Sequence, residues 1–148
     1  ANYVLKTNGS GTLGFAAAAT GDVTLTGTQT LTNKTVEAGT FTNGYTEEVN
    51  TANTSTAYTI SLADGSFQVL TLTGNATITM PTATAGRSFI LLLKQDGTGS
   101  RTVTWSTVKW PGGTAPTVTS TASKQDIYSF FADGTNWYGT TVGQNYTP

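Results

Sequence analysis

The sequence predicts an all-β fold, an antiparallel β-sandwich or jelly-roll-like domain with an extended N-terminal arm. Three observations lead there. Thirty-four of the 148 residues are threonine, a β-branched residue whose stiff χ1 suits a pleated surface. Short alternating apolar and polar stretches are cut by Asp-Gly, Gly-Asn and Pro-Gly pairs, at the roughly 8–12-residue spacing of strands in sandwiches. No stretch sustains a 3.6-residue period, so helix content is expected to be minimal.

Residues 1–42 read as the arm. Tyr3, Val4 and Leu5 on one side, and Leu13 and Phe15 on the other, flank the turn-like Asn8-Gly9-Ser10-Gly11. Residues 16–19, four alanines, have the length of one helical turn, too short to stand alone. Val23 and Leu25 alternate with Thr24 and Thr26, and Leu31 restarts a short strand after Gly27. Together with Val36 they are the arm's candidate assembly contacts. The arm has too little apolar surface to fold by itself. An extended segment of this kind gains main-chain hydrogen bonds by adding a strand to another sheet.

Residues 43–148 carry the core, opened by residues 45–49. Tyr58, Ile60 and Leu62 alternate with Thr59 and Ser61 and run to a turn at Asp64-Gly65. Residues 67–72 form an apolar strand, which Gly74-Asn75 turns into Ala76, Ile78 and Met80, stopped by Pro81. Residues 89–93 are continuously apolar, so the strand over 87–95 is expected to be buried on both faces. On that reading Leu92→Asp abolishes folding. Asp96-Gly97 turns this strand into residues 101–105, and Val108, Lys109 and Trp110 run into a turn at Pro111-Gly112-Gly113. Residues 124–132, with Ile127, Tyr128, Phe130 and Phe131, form another buried strand, which Asp133-Gly134 turns into Trp137-Tyr138-Gly139. The Asp-Gly and Gly-Asn pairs supply the positive φ that tight hairpins require.

Composition removes several functional classes. Without histidine or cysteine the chain lacks the commonest acid–base group and metal ligand, any disulfide and any thiolate. The net charge is −1 and the seven basic residues are scattered, which makes no basic face for nucleic acid. The apolar run 89–93 is far short of the about 20 residues of a membrane helix. Neither nucleic acid nor membrane is expected as a partner, and no cofactor. Hydrophobic residues make up 36%, a thin core that gains from burial between subunits. Ala1 opens the sequence without methionine or a leader pattern, as in a processed product or part of a longer chain.

No catalytic or metal-ligating residue is nominated, and no enzyme is expected. Asp64, Asp96 and Asp133 each precede a glycine and are expected to bond their own turns. Glu47 and Glu48 are expected on opposite faces of a strand. Residues 96–100 begin like a calcium loop but lack its alternating carboxylates and closing glutamate. No phosphate-binding G-x-x-x-x-G-K-[ST] is present. The sequons at Asn33, Asn53, Asn75 and Asn145 arise by chance in so threonine-rich a chain. Trp105 and Trp137, among apolar neighbours, read as core. Trp110, beside Pro-Gly-Gly, and Tyr146 are the candidate contacts for a glycan or protein partner, with core as the competing reading for Trp110.

Two stretches resemble bacteriophage virion proteins of the tail-fibre type. One is YVLKTNGSGTL at residues 3–13 with GDVTLTGTQTLTNKT at 21–35; the other is FFADGTNWY at 130–138 with GQNY at 143–146. The resemblance implies a homotrimeric, β-rich virion appendage exposed on the particle surface. It also implies an N-terminal attachment region, which would engage other virion proteins, and a C-terminal head. The function expected on that footing is assembly and surface display, with weak adhesion to host or environmental glycans. The resemblance supplies no catalytic residues. The alternatives are a capsid decoration (cement) protein that stabilises the head and a secreted carbohydrate-binding module.

Overall fold

In the computed structural model, which describes residues 3–7, 9–17 and 35–148, the threonine-rich alternation forms strands throughout. Eleven strands and one 3-10 turn, Pro111–Gly113, make up the regular structure of the described residues. The chain divides into two units, Ala1–Thr42 and Asn43–Pro148.

In the first unit, β1 (Tyr3–Thr7) and β2 (Leu13–Ala17) form an antiparallel hairpin with Tyr3 opposite Ala17 and Thr7 opposite Leu13. Ala16 and Ala17 are therefore extended, not helical. A few alanines cannot repay helix nucleation, whereas hairpin pairing satisfies their backbone directly. Ala18, Ala19 and three of the arm contacts, Val23, Leu25 and Leu31, lie outside the described residues. Val36 is exposed.

The second unit is built by winding. β3 (Val49–Thr54), β5 (Phe67–Leu72) and β7 (Ser88–Gln95) lie parallel in one sheet. β4 (Ala57–Thr59), β6 (Ala76–Thr79) and β8 (Val103–Ser106) lie parallel in another. Each strand of the first sheet is followed in sequence by one of the second, so the chain makes three turns of a flattened β-coil. β9 (Val108–Lys109), β10 (Gln125–Ala132) and β11 (Trp137–Tyr146) then complete the larger sheet, in the order β3-β5-β7-β10-β11-β9. β10 is antiparallel to β7 and β11, and β9 is parallel to β11.

The all-β class holds, but antiparallel pairing covers only part of the sheets. The turn signals explain why. In this unit Asp133-Gly134 closes a hairpin, whereas Asp64-Gly65, Gly74-Asn75 and Asp96-Gly97 turn the chain from one sheet to the other. The corners stack on one another. Thr73 N–H donates to Thr54 C=O and Thr77 N–H to Thr56 C=O, both at 2.8 Å. One level on, Ala76 N–H donates to Thr102 C=O at 3.0 Å, and the Asn75 side-chain oxygen accepts Thr102 N–H at 3.0 Å. Gly74 fits because a Cβ there would collide with the Ser55 carbonyl of the corner it stacks on. Glu47 and Glu48 precede β3, so they do not flank a strand as expected.

The core lies between the two sheets. It is formed by Leu70 and Leu72 of β5, Ala76 and Ile78 of β6, Phe89, Leu91 and Leu93 of β7, and Tyr128, Phe130 and Ala132 of β10, with Ile60, Met80, Val118, Trp110 and Trp137. Phe89 stacks on Phe130 at 4.7 Å and meets the edge of Trp137 at 5.3 Å. Trp105 packs edge-on against Trp110 and Tyr128 at 5.2 and 5.1 Å. Within the run 89–93, Leu91 is fully buried, while Ile90 and Leu92 are half-buried on the opposite face. The strand is thus one-sided in this unit, and Leu91 is the core position that Leu92 was expected to be.

Buried polar groups pin the loops to the sheet. Gln95 Nε2 donates to the carbonyls of Arg101 and Thr119 at 2.9 and 2.7 Å, while its Oε1 accepts Arg101 N–H. Gln68 Nε2 donates to the carbonyls of Ser61 and Gly65 at 3.0 and 2.6 Å. Asp126, 2% exposed, accepts from Thr119 N–H, Tyr128 Oη–H, Gln144 Nε2–H and Asn145 N–H. Burial alone would raise its pKa. The donated hydrogen bonds outweigh burial and hold the carboxyl below the usual carboxylate range.

Candidate functional site

Alternation along each strand also builds the outer face of the larger sheet. The register sets its side chains in rows. Ser88, Phe131, Tyr138 and Lys109 share the first row. Val49, Phe67, Ile90, Ser129 and Thr140 form the second. Thr51, Val69, Leu92 and Ile127 form the third, and Asn53, Thr71, Lys94, Gln125 and Tyr146 the fourth. The first row carries two aromatic rings between Ser88 and Lys109, the middle two are mainly apolar, and the last is mainly polar. The outer face of the smaller sheet is different: Ala57, Thr77 and Thr104 align there, then Thr59, Thr79 and Ser106.

Three depressions mark the larger sheet's outer side. A groove of about 540 Å³ is lined by Glu47, Ser66, Phe67, Thr84, Arg87 and Ser88, among others. Ser66 Oγ is buried there without a hydrogen-bond partner. A cleft of about 340 Å³ lies among Lys109, Trp110, Pro111, Phe131, Tyr138 and Thr140. A hollow of about 280 Å³ lies among Val49, Phe67, Val69, Ile90, Leu92 and Ile127. These three depressions contain one carboxylate, Glu47, whereas glycoside hydrolysis uses a facing pair.

The cleft is built around a stacked aromatic pair. Phe131, 57% exposed, stacks on Tyr138 with centroids 5.0 Å apart and planes 14° from parallel. The adjoining hairpin turn holds this pair in place. Tyr138 Oη–H donates to Asp133 Oδ2 at 3.0 Å, and this bond raises the phenol pKa. Asp133 Oδ1 accepts the N–H groups of Asn136 and Thr135 at 2.7 Å each. Those backbone bonds bring the carboxyl pKa down to about 2. One acidic side chain therefore forms the turn and orients the half-buried Tyr138 ring on which the exposed Phe131 stacks.

Trp110 is a core residue, 9% exposed, so it offers no flat platform to solvent. Its indole forms the back wall of the cleft and passes beneath β11 at Gly139, where a Cβ would lie 2.8 Å from the ring. Tyr146 is exposed, but it aligns with Gln125 in the fourth row. The two nominated contacts are not brought together. Sequence reasoning missed the Phe131–Tyr138 pair. A signal was present in the adjacent rings of Phe130 and Phe131: on a strand, one of two neighbours must face outward.

The calcium-like stretch at 96–100 is a closed turn. Asp96 Oδ1 accepts the N–H groups of Thr98 and Gly99 at 3.0 and 2.8 Å, and Oδ2 pairs with Arg101 at 2.8 Å. The Arg101 bond, then the turn amides, keep its pKa low. Among the described residues no three His, Cys, Asp or Glu side chains converge in a metal-binding group.

The model of a family described as "Putative phage tail fibre C-terminal domain" matches residues 51–137. The match runs from within β3 to the first residue of β11 and takes in the β-coil from the third residue of β3 onwards. No curated protein and no solved structure matches the chain.

Proposed function

The chain belongs to the phage tail-fibre C-terminal domain family and is part of a virion, and on that premise we propose a non-enzymatic appendage module that assembles as a homotrimer and adheres to host-surface glycans. The observation that carries adhesion is the Phe131–Tyr138 pair at a cleft, with Phe131 exposed and Tyr138 half-buried and hydrogen-bonded to Asp133. A pyranose stacks its apolar C–H face on such rings, and polar groups at the rim hydrogen-bond its hydroxyls. Lys109, Ser129 and Thr140 supply that rim, with Trp110 as the back wall. Tyr146, at the far end of the strands, is a separate partner contact.

Residues 1–42 act as the attachment arm. Val23, Leu25, Leu31 and Val36 contact other virion proteins, and residues 43–148 form the head. The family match supports an appendage over a capsid-cement protein or a secreted carbohydrate-binding module.

The test is binding of the purified chain to host-surface polysaccharide, followed by calorimetry on fragments that bind. Phe131→Ala is expected to weaken binding at least about tenfold, a loss of about 1.4 kcal/mol, with an unchanged circular dichroism spectrum. Undiminished binding would remove the cleft from the adhesion reading.

A further inference from the structure

The apolar middle of the larger sheet's outer face has no layer over it within residues 43–148. Val49 and Phe67 are 53% and 44% exposed. Val69, Ile90, Leu92 and Ile127 beside them are half-buried and line the hollow of about 280 Å³. A sheet face of this composition is normally covered by a second layer. The smaller sheet shows what this chain turns to water: Thr59, Thr77, Thr79, Thr104 and Ser106 occupy its outward positions. With threonine so abundant, six aliphatic and aromatic side chains in matching outward positions on the larger sheet call for a partner.

We infer that Val49, Phe67 and Ile90, with Val69, Leu92 and Ile127, form the surface by which copies of this chain pack on one another; this rests on the assembly reading above. Three features favour a second copy as occupant. The first is area. The largest apolar patch on a typical monomer is roughly 300–600 Å². Six such side chains fall within that order, and their threonine rim extends the surface towards the about 800 Å² per partner of a stable association. The second is charge. None of these six residues is charged, and the chain's net charge is only −1, so like-charge repulsion does not oppose self-association. The third is shape. Branched side chains standing in rows on a sheet interdigitate with a like face across a layer about 10 Å thick. A glycan would need hydrogen-bonding groups that these six side chains lack. Copies turning this face towards a common axis bury it in a closed ring, leaving the threonine face outside.

The experiment is light scattering on the full chain, on Leu92→Asp and on Thr104→Asp, with circular dichroism on each. The expected result is a mass of three chains for the native protein and Thr104→Asp, and a folded single chain for Leu92→Asp. Because a buried charge can also unfold a chain, a second measurement uses the absence of cysteine. Single thiols at Phe67→Cys and Thr104→Cys are labelled with a maleimide in the native assembly. Labelling at position 67 is expected to be at least tenfold slower than at 104. An assembly that survives Leu92→Asp, or equal labelling at the two positions, overturns this face and leaves the assembly reading standing. A native protein with the mass of one chain overturns both.

Discussion

At residue scale, neighbours in sequence have opposite roles. Phe130 is 1% exposed and stacks on Phe89, while Phe131 is 57% exposed and stacks on Tyr138. Phe130→Ala is expected to cost about 3–5 kcal/mol, and Phe131→Ala less than about 1 kcal/mol, both read from urea midpoints. Leu91 and Leu92 are expected to differ in the same way, with Leu91→Asp abolishing folding because it places a charge in the core. Gly139→Ala tests the packing of Trp110. Its Cβ would lie 2.8 Å from that indole and 2.9 Å from Phe130, an overpacking expected to cost about 1–3 kcal/mol. The composition makes the aromatic core legible: Trp137 lies in it, and Trp105, partly buried, packs against it. Trp110 was ambiguous because its Pro-Gly-Gly neighbours describe the local loop, not what lies across from it.

At element scale, the turns carry much of the architecture, and acid is expected to weaken them. Asp96, Asp126 and Asp133 all have lowered native pKa values, Asp133 about 2. A carboxyl whose native pKa lies below its unfolded value stabilises the fold above the unfolded value, and that stabilisation is lost as pH falls through the native one. The urea midpoint should therefore hold down to about pH 4, the unfolded carboxylate range, and fall steadily towards pH 2. Asp126→Asn should be less stable at pH 7 and lose less on acidification; an unchanged pH profile would show that Asp126 does not contribute. The strand positions and the turn-forming aspartates were legible from alternation and Asp-Gly pairs. The destination of each turn was not. Asp96 and Asp133 make the same local bonds to the following amides, yet one turn crosses to the other sheet and the other closes a hairpin.

At the scale of the whole molecule, residues 43–148 contain a complete two-sheet core. Deleting residues 1–42 is expected to leave a cooperative thermal transition and a β-sheet spectrum while impairing attachment to other virion proteins. Loss of the transition would place the arm within the folding unit. The family resemblance is legible at the two ends of the sequence, and the family match over residues 51–137 takes in both the middle, legible only as a strand pattern, and most of the FFADGTNWY stretch. By itself the sequence determined the all-β class, most strand positions and the appendage family, because alternation, turn chemistry and motif strings are local properties. Only the tertiary structure decided the parallel coil, the inward face of each apolar strand and the meeting of Phe131 with Tyr138. A period of two specifies alternation but not its phase when both faces are apolar, and strand pairing depends on contacts between residues far apart in the chain.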